Sequence, residues 1–377
     1  MRYRRFGKTN LNLSIFSLGT MRCLASPEIF DRTIAQAIEL GINHLETARG
    51  YGNSEAYLGR TLRSRLKQTQ ENIYITTKLS PTPDKHKMAG WIDESLAKLQ
   101  LDYIDFLAIH GINTWEHLDW VTSENGCLTA ITEAIDCGKI RHLGFSTHGS
   151  LELILAAINT NLFEFVNLHY YYFWQRNQPA IALASAKNMG IFIISPADKG
   201  GKLYTPPTKL KELCYPLTPL EFNYRWLLSD RKITTLSVGA ANPEELIEPL
   251  SVQDRDEPLT VIEREIIDKL TKKLEKTLAS DLCRQCNLCL PCPEAINIPE
   301  ILRLRNLTVA YDMQDYGRYR YQMLENAGHW FPGMKGNRCT DCGDCVPRCP
   351  QNLDIPSLLR DTHQSLNGAS RRRLWEN

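Results

Sequence analysis

Ile73-Tyr-Ile-Thr-Thr-Lys78, Ile92-Asp-Glu-Ser-Leu-Ala-Lys-Leu99 and Ile104-Asp-Phe-Leu-Ala-Ile-His110 follow one another in the chain. The outer two are short, β-branched runs. The middle one places Ile92, Leu96 and Leu99 on one helical face. A strand, a crossover helix and a second strand make the unit from which parallel sheets are wound. Further β-like runs lie at Ile42–Glu46, Ile140–Ser146, Phe163–Asn167, Ile191–Ser195 and Ile233–Gly239, and an earlier one ends near Leu18-Gly19. Amphipathic stretches such as Phe30–Leu40 and Glu55–Leu66 separate them. Strands that each feed a helix in this way predict an α/β fold, a (β/α)8 TIM barrel. A doubly wound open sheet is the alternative; no Gly-x-Gly-x-x-Gly turn follows the first strand to support it. In a barrel the strand ends share one rim, where catalytic groups sit. Here successive runs end in Glu46, Lys78, His110, Ser146, Asn167 and Ser195.

Beyond the repeating units, the chain turns to cysteine. Cys283, Cys286, Cys289 and Cys292 are followed by Pro293, and Cys339, Cys342, Cys345 and Cys349 by Pro350. Three thiolates at this spacing wrap one corner of a cubic iron–sulfur cluster. A fourth Cys before Pro often serves the other cluster of a pair. The first quartet is one residue short of that pattern, which makes Cys292 its least secure ligand. Cys292-Pro-Glu-Ala-Ile-Asn-Ile-Pro-Glu-Ile-Leu-Arg also matches Cys349-Pro-Gln-Asn-Leu-Asp-Ile-Pro-Ser-Leu-Leu-Arg, so the segment reads as a duplication. Each half is expected to give a cysteine loop and then a helix begun near Pro299 or Pro356. A four-thiolate zinc site is a competing reading, but it leaves thiolates idle. Disulfides are a weaker one, since no secretory signal precedes them. The arrangement resembles a helix-rich ferredoxin domain with two 4Fe–4S clusters. The expected division is a barrel over residues 1–270 and a cluster domain over 271–377.

Composition is that of a cytoplasmic globular protein. Lys and Arg number 44 against 43 Asp and Glu, a net charge of +1, so neither nucleic acid nor an anionic membrane is indicated as a partner. No run approaches the length of a membrane span. Of the 12 cysteines, Cys23, Cys127, Cys137 and Cys214 are isolated thiols; Cys23, just after the first strand, is the one expected near a cleft. The basic tail Arg371-Arg-Arg373 reads as a solvated end.

Leu45-Glu-Thr-Ala-Arg-Gly-Tyr-Gly-Asn-Ser-Glu-Ala-Tyr-Leu-Gly59 resembles the active-site signature of the aldo-keto reductases. Leu18-Gly-Thr-Met21, Thr76-Thr-Lys-Leu79, the strand ending in His110 and Gly144-Phe-Ser-Thr-His148 fit the same family. The resemblance covers roughly residues 1–255, and the cysteine-bearing tail places the chain in an iron–sulfur branch. It implies a catalytic set of Tyr51, Lys78, His110 and Glu46, where most members have Asp in place of Glu46. Reduction of a carbonyl by hydride needs a proton for the developing alkoxide. Tyr51 is the expected donor, with Lys78 lowering its pKa. His110 would orient the carbonyl oxygen, and Glu46 would hold Lys78.

The same resemblance implies NADP(H) or NAD(H) across the rim. Ser146 and Asn167 match positions that hold the nicotinamide amide, with Asn in place of the usual Gln. Ser195 opens a loop in which Gly200 and Gly201 let backbone N–H groups approach the pyrophosphate. Gly239, Ala240 and Asn242 precede a capped helix start suited to phosphate. That stretch has no Arg or Lys of its own for a 2′-phosphate.

Tyr170-Tyr-Tyr-Phe-Trp174 is expected over the active-site mouth. Tyr311, Tyr316, Tyr319, Tyr321, Trp330 and Phe331 either pack a core or dock the cluster domain on the rim. Three functions compete. The first is a reductase of a small carbonyl substrate whose clusters exchange electrons with that substrate or with a redox partner protein. The second is the same reductase with clusters that brace the fold or sense oxygen. The third is a non-catalytic binding module.

Overall fold

The computed structural model describes residues 1–65 and 73–369. Leu66, at the end of one expected helix, and the Arg371–Arg373 tail lie outside the described residues. The chain forms two compact units. One comprises Met1–Gly200 and Asn223–Pro258; the other comprises Gly201–Phe222 and the chain from Leu259 onward.

The first unit begins with an antiparallel hairpin, β1 (Tyr3–Arg5) and β2 (Asn12–Ser14). Eight strands follow: β3 (Phe16–Gly19), β4 (His44–Glu46), β5 (Tyr74–Leu79), β6 (Ile104–His110), β7 (Ile140–Ser146), β8 (Phe165–Leu168), β9 (Gly190–Ile193) and β10 (Thr235–Val238). They close into a parallel barrel in the order β10-β3-β4-β5-β6-β7-β8-β9. Helices lie between strands as the periodicity predicts. The first, Pro27–Glu39, starts where the Ser26 side chain accepts from Ile29 N and proline occupies the first turn. Its buried face carries Phe30, Ile34 and Ala37. The helix Lys85–Leu99 is capped by Asp84, which accepts from the amides of His86 and Lys87.

Strand β9 departs from expectation. It ends at Ile193, not at Ser195, because Ser195 adopts φ 54° and Pro196 follows it. Strand β8 ends one residue beyond Asn167, and β5 one beyond Lys78.

The barrel floor is closed by the hairpin. Phe6 is fully buried with Leu13, Phe106, Ala108, Phe165 and Phe192, and meets the Phe106 ring edge-on at 5.3 Å. A Cβ at Gly190 would lie 2.3 Å from the Phe6 ring, so β9 needs glycine there. Truncating a fully buried Phe costs about 3–5 kcal/mol.

The second unit is helical. Val261–Leu278 opens with a full capping box formed by Thr260 and Glu263. Ile298–Tyr311 and Ile355–Leu366 each follow a cysteine loop and carry proline in the first turn, as the duplicated sequence predicts. Tyr311 donates to Leu270 O at 2.9 Å, Tyr321 pairs with His363 at 2.8 Å, and Arg320 lies 4.0 Å over the Phe331 ring. Tyr311, Tyr321 and Phe331 each have a partner within this unit. Among the described residues, no helix is long and apolar enough to cross a membrane.

Candidate active site

Strand β4 delivers Glu46 to the rim and strand β5 delivers Lys78 beside it. The loop after β4 is zipped to β5 by Thr47 N to Thr76 O (2.8 Å) and Arg49 N to Lys78 O (3.1 Å). A turn closed by Tyr51 N to Ala48 O, with Gly52 at φ 55°, then folds Tyr51 back over the lysine. Lys78 is 2% exposed and Glu46 4%. The ammonium lies 2.8 Å from Glu46 Oε1 and donates to the Tyr51 hydroxyl at 3.1 Å. The His110 ring meets Tyr51 edge-on at 5.7 Å. Four residues from three strand ends and one loop are therefore brought together.

The electrostatics differ from the expectation. Burial raises the Tyr51 pKa above its ordinary value of 10, and this outweighs the lowering by Lys78. Tyr51 is held as a neutral phenol, an acid ready to give a proton. Burial alone would lower the Lys78 pKa, but Glu46 and then Tyr51 reverse that, and it rises. Lys78 stays an ammonium.

His110, Ser146 and Asn167 are register neighbours across β6, β7 and β8. Ser146 Oγ accepts from Gly111 N at 3.1 Å, which leaves its proton for a ligand. Asn167 is wholly buried. Its Nδ2 donates to Glu46 Oε1 at 2.9 Å, whereas Oδ1 has no hydrogen-bond partner among the described residues. A hydroxyl donor beside an unsatisfied amide acceptor matches the C=O and NH2 of a primary carboxamide, so these residues fit a nicotinamide.

The remaining expected cofactor residues follow β9 and β10. Lys199 N donates to Ser195 O at 3.0 Å, and a Cβ on Gly200 would strike Pro196 O, so this turn admits glycine alone. Gly201, at φ 141°, begins the segment that belongs to the second unit. Past β10, Ala240 is buried and Asn242 accepts from Glu245 N to cap the turn Pro243–Leu246, which runs on into Ile247–Leu250.

Several neighbours escaped the sequence reading. Arg22, from the loop after β3, donates to Gly239 O at 2.6 Å and pairs with Glu245 at 2.8 Å, so a cation does reach that stretch. His148 and His169 lie two residues beyond Ser146 and Asn167. Their Nε2 atoms are 3.0 Å apart, with Lys199 Nζ at 3.4 and 3.5 Å. Tyr171 gives its hydroxyl proton to Ile194 O, so at its 2.5 Å contact His169 Nδ1 is the donor. The two-residue strand period was the signal that marked both histidines. The Tyr170–Trp174 stretch is largely buried: Tyr170 and Tyr172 pack on Trp226 at 5.1 and 5.7 Å. Cys23 sees no cleft; it is fully buried, and burial pushes its thiol up to about 12.

In the second unit the cysteines line two recesses. Cys283, Cys286, Cys289 and Cys349 line one. Cys339, Cys342, Cys345 and Cys292 line the other. The fourth cysteine of each run thus joins the other run's triplet, and Cys292 takes its place despite the short spacing. Each site has one buried thiol, Cys289 or Cys345, and one exposed thiol, Cys286 or Cys342. Burial, and then neighbouring thiols, push Cys289 up to about 12 and raise Cys345. Four thiolates are tolerated there only against a cationic core, which is what an iron–sulfur cluster supplies.

This barrel and rim define a class. The aldo/keto reductase family model matches residues 17–272, and the chain belongs to that family. A 4Fe-4S dicluster domain matches residues 282–353. An aldo/keto reductase of Synechocystis is 29% identical over 49% of this chain and 61% of its own length. L-glyceraldehyde 3-phosphate reductase of Escherichia coli is 27% identical over 39% of this chain and 46% of its own. The chain thus spans about half to three-fifths of these relatives. The holo structure of an aldo-keto reductase from Bacillus halodurans shares the fold, with TM-score 0.62 at 22% identity, over 71% of this chain and 96% of that one.

Proposed function

We propose that this chain is an NAD(P)H-dependent oxidoreductase that reduces a small carbonyl compound, or oxidises the matching alcohol, and that its tail holds two 4Fe–4S clusters for one-electron exchange. The observation that carries the reading is the Glu46–Lys78–Tyr51 chain of contacts at 2.8 and 3.1 Å. A bound reduced nicotinamide supplies the hydride. Tyr51 gives its proton to the carbonyl oxygen as that oxygen becomes an alkoxide. Burial keeps Tyr51 a neutral phenol, so it has the proton that the developing alkoxide needs. Lys78 then stabilises the tyrosinate left behind. His110, edge-on to Tyr51, orients the carbonyl oxygen. Ser146 and Asn167 hold the carboxamide and so fix which face of the ring meets the substrate.

The curated relative named for L-glyceraldehyde 3-phosphate supports a small aldehyde as the substrate class. The exposed Cys286 and Cys342 give each cluster an edge from which a redox partner protein can draw or deliver electrons. A nicotinamide passes two electrons and each cluster one, and the sequence has no flavin fingerprint, so the hydride and cluster reactions are separate half-functions. Tyr51→Phe tests the assignment. Carbonyl reduction should slow about 10²–10⁴-fold with dinucleotide binding retained. Undiminished turnover would overturn it.

A further inference from the structure

Glu46 lies on β4 and Asn167 on β8, four places apart in a ring of eight strands and therefore on opposite walls of the barrel. They are separated by 121 residues in the chain, yet Asn167 Nδ2 reaches Glu46 Oε1 at 2.9 Å. The same carboxylate oxygen holds Lys78 Nζ at 2.8 Å. Neither side chain has room to wander, since Glu46 is 4% and Asn167 0% exposed.

We propose that Glu46 and Asn167 form a length-matched strut across the barrel that couples the nicotinamide seat to the proton donor. The barrel diameter is set by strand number and tilt, so the gap between opposite walls is fixed. A long acid on one wall meets a short amide on the other. The strut does two things. Because Glu46 accepts only, it dictates that Nδ2 of Asn167 faces it, which leaves Oδ1 turned away as a buried acceptor with no partner among the described residues. A carboxamide N–H that satisfies Oδ1 thereby fixes the amide whose other end holds Glu46, and Glu46 fixes the height of Lys78 beneath Tyr51. Both are positioning residues acting through Lys78 and through the bound ring. This rests on the proposed hydride reaction for its consequence, but not for the strut itself.

The test is a swap of length. Glu46→Asp withdraws its head group by about 1.5 Å, which takes the amide contact beyond hydrogen-bond range. Asn167→Gln crowds the filled gap. The double variant E46D/N167Q restores the total length. Melting temperature, NADPH and NADH dissociation constants by fluorescence titration, and the pH profile of kcat are measured on the full chain prepared anaerobically. Each single variant should lower the melting temperature and weaken dinucleotide binding or kcat about 10–100-fold, the scale of a 1 Å misplacement. E46D should also move the alkaline limb of the kcat profile, because it disturbs Lys78. The double variant should recover most of each loss. Melting-temperature losses that simply add in the double variant, with affinity losses that simply multiply, overturn the strut. If the parent binds neither dinucleotide, the proposed reaction fails while the melting temperatures still decide the strut.

Discussion

Lys78→Met separates what the buried ion pair does for the fold from what it does for the reaction. Lys78 and Glu46 are 2% and 4% exposed and 2.8 Å apart. Removing the ammonium strands a carboxylate in the barrel, for which breaking a buried pair costs about 3–5 kcal/mol. Asn167 still donates to Oε1, so the expected loss lies at the lower end, about 3 kcal/mol. Lys78→Met/Glu46→Gln removes both charges, and replacing a buried pair with neutral groups is often close to neutral. That double variant should return to within about 1 kcal/mol of the parent, yet remain catalytically dead because nothing stabilises the tyrosinate. Urea denaturation, read as midpoint and slope at equal cluster content, measures the first effect; turnover of a probe aldehyde measures the second. A Lys78→Met variant within about 1 kcal/mol of the parent would refute the argument. So would a double variant no more stable than the single.

Protein made anaerobically with iron in excess should carry about eight iron and eight sulfide per chain, from the eight cysteines around two recesses; stoichiometric zinc without iron would contradict this. Burial pushes His44 down to about 3, so the stability it contributes is full above the unfolded value near 6.5 and drains as pH falls toward 3. At pH 5 the loss is about 2 kcal/mol, and His44→Gln should flatten that slope in pH-dependent melting. Since burial raises the Tyr51 pKa above 10, kcat for reduction should stay level from pH 6 to 9 with respect to this group, and a limb near neutrality that disappears in Tyr51→Phe would count against it.

Much of the molecule is legible in the chain because the signals are local. Strands β6 and β7 are mostly apolar runs that end in His110 and Ser146, and their limits are those the sequence predicts. The Cys-Pro ends belong to a pattern in which the last thiolate serves the other cluster, and Cys292 and Cys349 each line the recess of the other run's triplet. Contacts fixed only by closure of the ring were not legible. Arg22 meets Gly239 across 217 residues, and Asn167 meets Glu46 across 121. The direction of the Tyr51 shift was missed for a related reason. Lys78 could be seen in the motif, but the burial that outweighs it arises only when the rim assembles. The loop at Ser195 turned earlier than its apolar residues suggested, because left-handed backbone and proline ended β9.

The central claim is hydride transfer from a nicotinamide at the rim to a carbonyl protonated by Tyr51. The measurement that tests it most directly uses NADPH and NADH deuterated at C4, with anaerobic protein and a small aldehyde. Mass spectrometry should find deuterium on the carbinol carbon from one face of the cofactor, in amounts matching cofactor oxidised, with the rate lost in Tyr51→Phe. Cofactor consumed without label in the alcohol, or no consumption with any aldehyde while the clusters are intact, would contradict the account.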